Sequence, residues 1–157
     1  MDREVLLKIE GLRIEGRAGD GWTEIVKGID LTLHKGEVLG LIGESGAGKS
    51  TVGLAAMGFA RDGCRITGGS ILFDGIDLRQ APEAERRALR GKRIAYVAQS
   101  AAASFNPAHK LIDQYCETPV VHGVMARDKA EQDAIDLYRR MQLPDPEGIG
   151  FRYPHQV

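Results

Sequence analysis

One octapeptide, GESGAGKS at positions 43–50, combines glycines, a lysine and a serine at a spacing that suits phosphate binding. This segment fits the pattern G-x-x-x-x-G-K-[ST] at every fixed position and follows an apolar stretch, residues 38–42, that is expected to be a buried strand. Glycines let a backbone curve round a polyphosphate, so that N–H groups of residues 46–51 point at its oxygens. The pattern therefore predicts a site for ATP or GTP.

The side chains of this phosphate loop have expected parts in holding a nucleotide. Lys49 brings a full positive charge to the β- and γ-phosphates, and the Ser50 hydroxyl is the expected ligand of the accompanying magnesium. A helix expected to begin near Lys49 aims its N-terminus at the same charge. The alternative, a glycine-rich turn that merely resembles the pattern, is disfavoured by the expected strand before it and helix after it. The residues predicted to contact the nucleotide are Gly43, Glu44, Ser45, Gly46, Ala47, Gly48, Lys49, Ser50 and Thr51.

Length and composition limit the classes of protein to be considered. The 157 residues, 43% apolar and 27% charged, suit one globular domain. The net charge of −1 gives no field that would attract nucleic acid, so no nucleic-acid partner is expected. No apolar run approaches a membrane span and the N-terminus lacks a signal-peptide core, which favours a cytoplasmic location. Cys64 and Cys116 have no metal-binding spacing and are expected to be packing residues.

Alternating apolar residues predict an antiparallel sheet at the start of the chain. Residues 5–9 and 29–33 have the period of two that is typical of half-buried strands. Further along, Asp74-Gly75 separates two apolar segments and is a signal for a type I′ turn, which predicts a small β-ribbon. Residues 93–98 are mostly apolar over the length of a strand, which predicts a buried strand that ends at Gln99.

The other segments are predicted to be helical. Pro82 at an expected first helical position and Gly91 just past the end bracket a short charged helix, which is expected on the surface. Asn106-Pro107 is expected to cap a helix that Pro119 ends or kinks, and Asp128 is expected to cap another. In that last helix an apolar stripe predicts core contacts; its members are Ala130, Ala134, Leu137, Tyr138 and Met141.

The order of these elements resembles the nucleotide-binding subunit of an ATP-binding-cassette (ABC) transporter. The segments GESGAGKS, ITGGSILFDGIDL, IAYVAQSAAASFNP and RYPHQ resemble the oligopeptide, dipeptide and nickel importer branch. This resemblance implies an α/β fold: a P-loop NTPase core with an N-terminal antiparallel β subdomain over residues 1–100, and the start of a helical subdomain over 101–157. It also implies an ATPase at the inner face of the membrane, with membrane permease subunits and a second nucleotide-binding subunit as partners.

The resemblance gives roles to residues outside the phosphate loop. Gln99 stands where the family has its Q-loop glutamine, which implies catalytic roles for Lys49 and Gln99 and magnesium ligation by Ser50 and Gln99. Residues 100–115 are implied to receive a coupling helix of the permease. The position that aligns with the family's adenine-stacking aromatic ring is Gly16, and Trp22 is an alternative source of a ring.

In this branch the YPHQ segment is followed by the signature motif, an acidic strand with the catalytic glutamate, and a switch histidine. The sequence given stops at Val157, so it is expected to be an incomplete nucleotide-binding domain with negligible hydrolysis of its own. Three functions stay open: an importer ATPase for peptides, a nucleotide-binding fragment without ATPase activity, and a soluble ABC ATPase outside transport. The last would be expected to carry coiled-coil insertions, zinc cysteines or a second cassette, and a GTPase is disfavoured because no Asn-Lys-x-Asp segment occurs.

Overall fold

A computed structural model describes residues 4–44, 46, 48–100 and 104–157. Its residue contacts group into two units, Met1–Arg90 and Gly91–Val157. The first unit contains the strands and the phosphate loop, and the second contains the two longest helices among the described residues.

The first unit is built on a four-stranded antiparallel sheet with the strand order β2-β1-β3-β4. Its strands are β1 (Val5–Ala18), β2 (Gly21–His34), β3 (Cys64–Phe73) and β4 (Ile76–Asp77). Apolar residues of one face are buried, among them Ile9, Leu12, Ile14, Val26 and Ile71. The predicted antiparallel start is confirmed, with bulges between β1 and β2 that interrupt the alternation of the two faces.

The predicted β-ribbon is formed by β3, β4 and the turn between them. Asp74 and Gly75 have φ angles of 49° and 81°, and the flanking residues Phe73 and Ile76 pair with each other. Positive φ at both central residues defines a type I′ turn, whose twist matches that of the strands. The prediction from the Asp-Gly pair is confirmed.

Residues 38–42, predicted to be a buried strand, form no regular element. Val38 and Ile42 expose 97% and 99% of their surface. A strand that is buried on both faces needs hydrogen-bonding neighbours and a packing layer on each side. Among the described residues the four strands pair with one another, and none pairs with this segment. The prediction of a strand here is therefore wrong.

The described residues of the first unit form two helices: α1 (Lys49–Ala55), which follows the phosphate loop, and α2 (Glu83–Leu89). The backbone N–H groups of Glu85 and Arg86 donate to the carbonyl of Pro82, which is the N-cap residue of α2. No residue of α2 is buried, so the prediction of a short surface helix is confirmed.

The second unit packs α3 (Leu111–Val121) against α4 (Arg127–Arg140), followed by two single-turn helices, Ile149–Phe151 and Pro154–Gln156. Its buried cluster consists of Ile112, Cys116, Ala130 and Ala134. The predicted stripe on α4 therefore reaches the core through its alanines, whereas Met141 is 62% exposed. No helix among the described residues has both the length and the apolar character needed to cross a bilayer.

The helix α3 starts later than predicted, at Leu111. The Asn106 side chain, expected to cap it, accepts a hydrogen bond from the N–H of Ala108 at 3.0 Å and closes a local turn instead. Pro119 was predicted to end or kink the helix. It lies inside α3, which continues to Val121, so the helix does not end at Pro119, and the kink stays a prediction.

Two further predictions in the second unit are wrong. Residues 93–98 form no strand, and Tyr96 and Val97 expose 45% and 92% of their surface. The carbonyl of Ile94 accepts the N–H of Gly91 at 2.8 Å in a single bridge, but no strand of the four-stranded sheet pairs with this segment. Asp128 is not the cap of α4, because the helix begins one residue earlier, with Ala126 as its N-cap residue.

A pH dependence is expected from the contact between the two long helices. The Tyr115 hydroxyl donates to the Asp133 carboxylate at 2.5 Å, and this hydrogen bond, together with burial, raises the pKa of Tyr115 to about 12. The contribution to stability is present below the ordinary pKa of 10.0 and is lost as the pH rises towards about 12.

In urea unfolding at several pH values, we expect the stability difference between the wild type and Tyr115→Phe to be constant from neutral pH up to 10.0 and to shrink above it. A difference that grows above pH 10.0 would contradict this assignment.

Candidate nucleotide-binding site

The candidate site lies where the chain enters α1. Gly46 and Gly48 have φ angles of 86° and 85°, in the left-handed region that glycine adopts without strain. Left-handed residues in such a loop turn successive N–H groups towards one concavity, which attracts anions. Ser45 and Ala47, also predicted to contact the nucleotide, lie outside the described residues.

Lys49 folds back over the start of the loop. Its ammonium group donates to the carbonyl oxygen of Gly43 at 2.5 Å and to that of Glu44 at 2.6 Å. An ammonium has three donors, so these two bonds hold the charge in place and leave one donor for a further acceptor. The structure thus brings together Lys49 and the first two residues of the predicted set.

Ser50 and Thr51 occupy the first turn of α1. The carbonyl of Gly48 accepts the N–H of Val52 at 2.9 Å, which begins the helix directly after the loop, as predicted. Ser50 is exposed and Thr51 is half-buried. Magnesium ligation by Ser50 stays a prediction.

The sheet positions the loop through Gly48. A Cβ atom added to Gly48 would lie 3.3 Å from the Cγ2 atoms of both Ile25 and Val26. The β1–β2 register shifts at this point: Ile14 pairs with Val26 and Glu15 with Glu24, so Ile25 is the extra residue of a bulge. A bulge can place two successive side chains on one face, which explains why both contact the loop. Sequence reasoning missed Ile25.

Trp22 is 43% exposed, and its ring is covered by a cation. The guanidinium carbon of Arg65 lies 4.0 Å from the ring centroid. Arg65 is itself held by the Glu15 carboxylate, which accepts a hydrogen bond from its Nε at 2.8 Å. This cation–π contact stabilises the Trp22 ring in its position against Arg65.

Gln99 belongs to the second unit, where it is exposed. Its role as a catalytic residue and a magnesium ligand stays a prediction. The same unit contains a groove of about 1390 Å³ with an apolar lining that includes Phe105, Leu111 and Tyr115. These three residues fall within the segment 100–115 that is predicted to contact the permease.

Comparison with known protein families identifies the family of this chain. The sequence profile of the ABC transporter family matches residues 26–153. The match covers most of the chain, including the candidate site, so the chain belongs to the ABC transporter family.

The relatives include ATP-binding proteins of peptide transporters. The chain is 33% identical over 152 residues to the oligopeptide transport ATP-binding protein OppD of Salmonella typhimurium, covering 97% of this chain and 45% of OppD. It is 36% identical over 140 residues to the metal-staphylopine import protein CntD of Staphylococcus aureus, covering 88% of this chain and 51% of CntD. The dipeptide transport protein DppD of Bacillus subtilis is 30% identical over 154 residues, covering 98% of this chain and 46% of DppD. The chain spans about half the length of these relatives.

Solved structures show the same fold. The dimeric ATP-binding cassette MJ0796, bound to ADP and Pi in a post-hydrolysis state, matches with a TM-score of 0.78 at 19% identity, covering 97% of this chain and 63% of that one. A second match, cbiO1 from Clostridium perfringens, has a TM-score of 0.60 at 22% identity and covers 98% of this chain and 56% of that one. The predicted α/β fold of an ABC nucleotide-binding domain is confirmed.

Proposed function

We propose that this chain is part of the ATP-binding subunit of an ABC importer for peptides, which binds ATP with magnesium and hydrolyses it in the whole protein. The observation that carries the proposal is the Lys49 ammonium group held at the start of a glycine-rich loop, in a chain of the ABC transporter family. A fixed cation beside a glycine-rich loop that enters a helix is suited to the negative charge of a triphosphate.

Each predicted site residue has a part in this proposal. The loop residues 43–51 bind the phosphates, with Lys49 nearest the β- and γ-phosphates. Ser50 and Gln99 are the ligands for magnesium, which neutralises charge on the phosphates when it is bound. Hydrolysis needs a group that positions the attacking water, and we assign this step to the whole protein. The relatives OppD and DppD are about twice as long as this chain. The residues described here bind the nucleotide.

The proposed partners are the permease subunits of the importer and a second nucleotide-binding subunit. The apolar groove of the second unit, lined by Phe105, Leu111 and Tyr115, is the proposed contact with the permease at the inner face of the membrane. The dimeric state described for MJ0796 supports pairing with a second subunit.

The proposed solute is a peptide, because OppD and DppD serve oligopeptide and dipeptide transport. CntD, which serves metal-staphylopine import, favours a metal chelate as a second candidate. Lys49→Ala, introduced into the only gene copy, tests both by the uptake of labelled peptides and of chelated metal. Lys129 is exposed on α4, and Lys129→Ala is a matched control that also removes one lysine charge.

We expect Lys49→Ala to reduce peptide uptake at least about tenfold and Lys129→Ala to leave it unchanged. Loss of metal-chelate uptake with normal peptide uptake would transfer the proposal to the second solute. Normal uptake of both would contradict a transport function that depends on this site.

A further inference from the structure

The face of the sheet that holds the phosphate loop also shows what the rest of a bound nucleotide would meet. Gly48 contacts Ile25 on β2. Two residues before Ile25, towards the β1–β2 turn, Thr23 pairs with Gly16 of β1. Residues two apart on a strand point to the same face, and directly paired residues do so as well. Ile25, Thr23 and Gly16 therefore share the face on which the loop lies.

On this face the Ile25 side chain covers Gly16. A Cβ atom added to Gly16 would lie only 2.3 Å from Ile25 Cδ1, so a residue with a side chain would displace Ile25. Gly16 is buried and Ile25 is half-buried. The surface beside the phosphate loop is thus an aliphatic side chain that lies over bare backbone.

Trp22 lies on the other face. It pairs with Arg17, one residue after Gly16 on β1, and its ring contacts Arg65. Arg65 pairs in turn with Glu15, one residue before Gly16. Neighbours of Gly16 on β1 point away from the face of Gly16. The sheet itself therefore separates the tryptophan ring from a ligand on the phosphate loop.

We propose that the base of a nucleotide bound at this loop rests on Ile25 over Gly16, without an aromatic partner, so that the site discriminates weakly among bases. This inference rests on the proposed function of the loop. An aliphatic side chain gives contact to any base but offers no hydrogen bond that distinguishes their edges. The Thr23 hydroxyl on the same face is both a donor and an acceptor, so it suits adenine and guanine alike.

The test compares ATP, GTP and inorganic tripolyphosphate, each with magnesium, in calorimetric titrations of the 157-residue chain. We expect the Kd values of ATP and GTP to agree within about threefold, and Trp22→Ala to change them by less than about twofold. Lys49→Ala should weaken all three ligands.

A double variant, Gly16→Tyr with Ile25→Ala, places a ring on the loop face and removes the side chain that would collide with it. We expect it to tighten ATP and GTP roughly fivefold with no change for tripolyphosphate, because a ring adds stacking on the base. The matched control, Ile25→Ala alone, provides no ring and should tighten neither.

A preference for ATP over GTP of more than about tenfold, or a Trp22→Ala effect on ATP but not on tripolyphosphate, would overturn the inference. In that case Lys49-dependent binding of tripolyphosphate would leave the proposed function of the loop in place. If none of the three ligands bound in a Lys49-dependent way, the proposed function and the inference would both fail.

Discussion

Replacing Lys49 with alanine is expected to abolish the rise in melting temperature that ATP with magnesium gives to the chain. A ligand that binds only the folded state stabilises it by about 2.7 kcal/mol when its concentration is about 100 times its Kd. The Lys49 ammonium group is the cation that the structure holds against the loop, bonded to the carbonyls of Gly43 and Glu44. Without it the loop retains its amides but loses the charge that offsets the phosphates.

Thermal denaturation with and without ATP measures this effect, and Lys129→Ala on the exposed side of α4 is the control. The control protein should be stabilised by ATP as much as the wild type. Gly43 and Glu44 are exposed and Lys49 is half-buried at the start of α1, so the variant should keep most of the ligand-free stability. Equal stabilisation of Lys49→Ala and wild type by ATP would contradict the assignment of the site.

The second large effect is expected for Gly69→Ala, in the strand β3. Gly69 has a φ of 85°, and a Cβ atom there would lie 2.5 Å from the carbonyl oxygen of Glu10 and 2.6 Å from that of Gly11. Both are backbone atoms of β1, which cannot move aside without breaking the strand pairing. A left-handed residue with a side chain costs about 1–3 kcal/mol, and overpacking costs about 1–3 kcal/mol more. We expect the variant to lose about 3 kcal/mol or more of unfolding free energy.

The adjacent residue provides a matched control. The atoms nearest to a Cβ atom on Gly68 would belong to the side chain of Arg13, at 3.3 Å or more, and Gly68 has no positive φ. Gly68→Ala should therefore change stability by less than about 1 kcal/mol. Urea unfolding followed by the fluorescence of Trp22, the single tryptophan, reports on this sheet. Similar midpoints for the two variants would contradict the close approach of β1 and β3 at Gly69.

Local patterns predicted the elements whose partners are close in sequence. The Asp74-Gly75 turn was predictable because both residues tolerate positive φ and the strands they join are neighbours. Ala130 and Ala134 were predictable as core because a helical period places them on one face of α4. These signals lie within a few residues of the structure they specify.

The predictions of strands at residues 38–42 and 93–98 were wrong because the partners of a buried strand are distant in sequence. An apolar run indicates that a segment is suited to burial, but a strand forms only when neighbouring strands make hydrogen bonds with its backbone. The predicted start of α3 was wrong because the Asn106 side chain closes a turn with Ala108 instead of capping a helix. Asparagine supports both kinds of local hydrogen bond, so the residue type alone does not distinguish them.

The phosphate loop was predicted by its sequence pattern, whereas the contacts that hold the loop in place were not. GESGAGKS predicted a loop of glycines before a helix, and the structure adds the contact of Lys49 with Gly43 and Glu44. Ile25 contacts the loop because a bulge places it beside Val26, and no residue type in this stretch signals a bulge. The sequence shows at Gly16 only that an aromatic ring is absent, and the cover of Gly16 by Ile25 follows from the same bulge.

Backbone amide NMR of the ¹⁵N-labelled chain, titrated with ATP and magnesium, reports on each residue of the phosphate loop separately. If the loop cradles the polyphosphate, the largest shifts will be those of the N–H groups of Gly46, Gly48, Lys49, Ser50 and Thr51, and tripolyphosphate alone will produce most of them. Saturable shifts confined to other residues, with these five amides unmoved, would contradict the account.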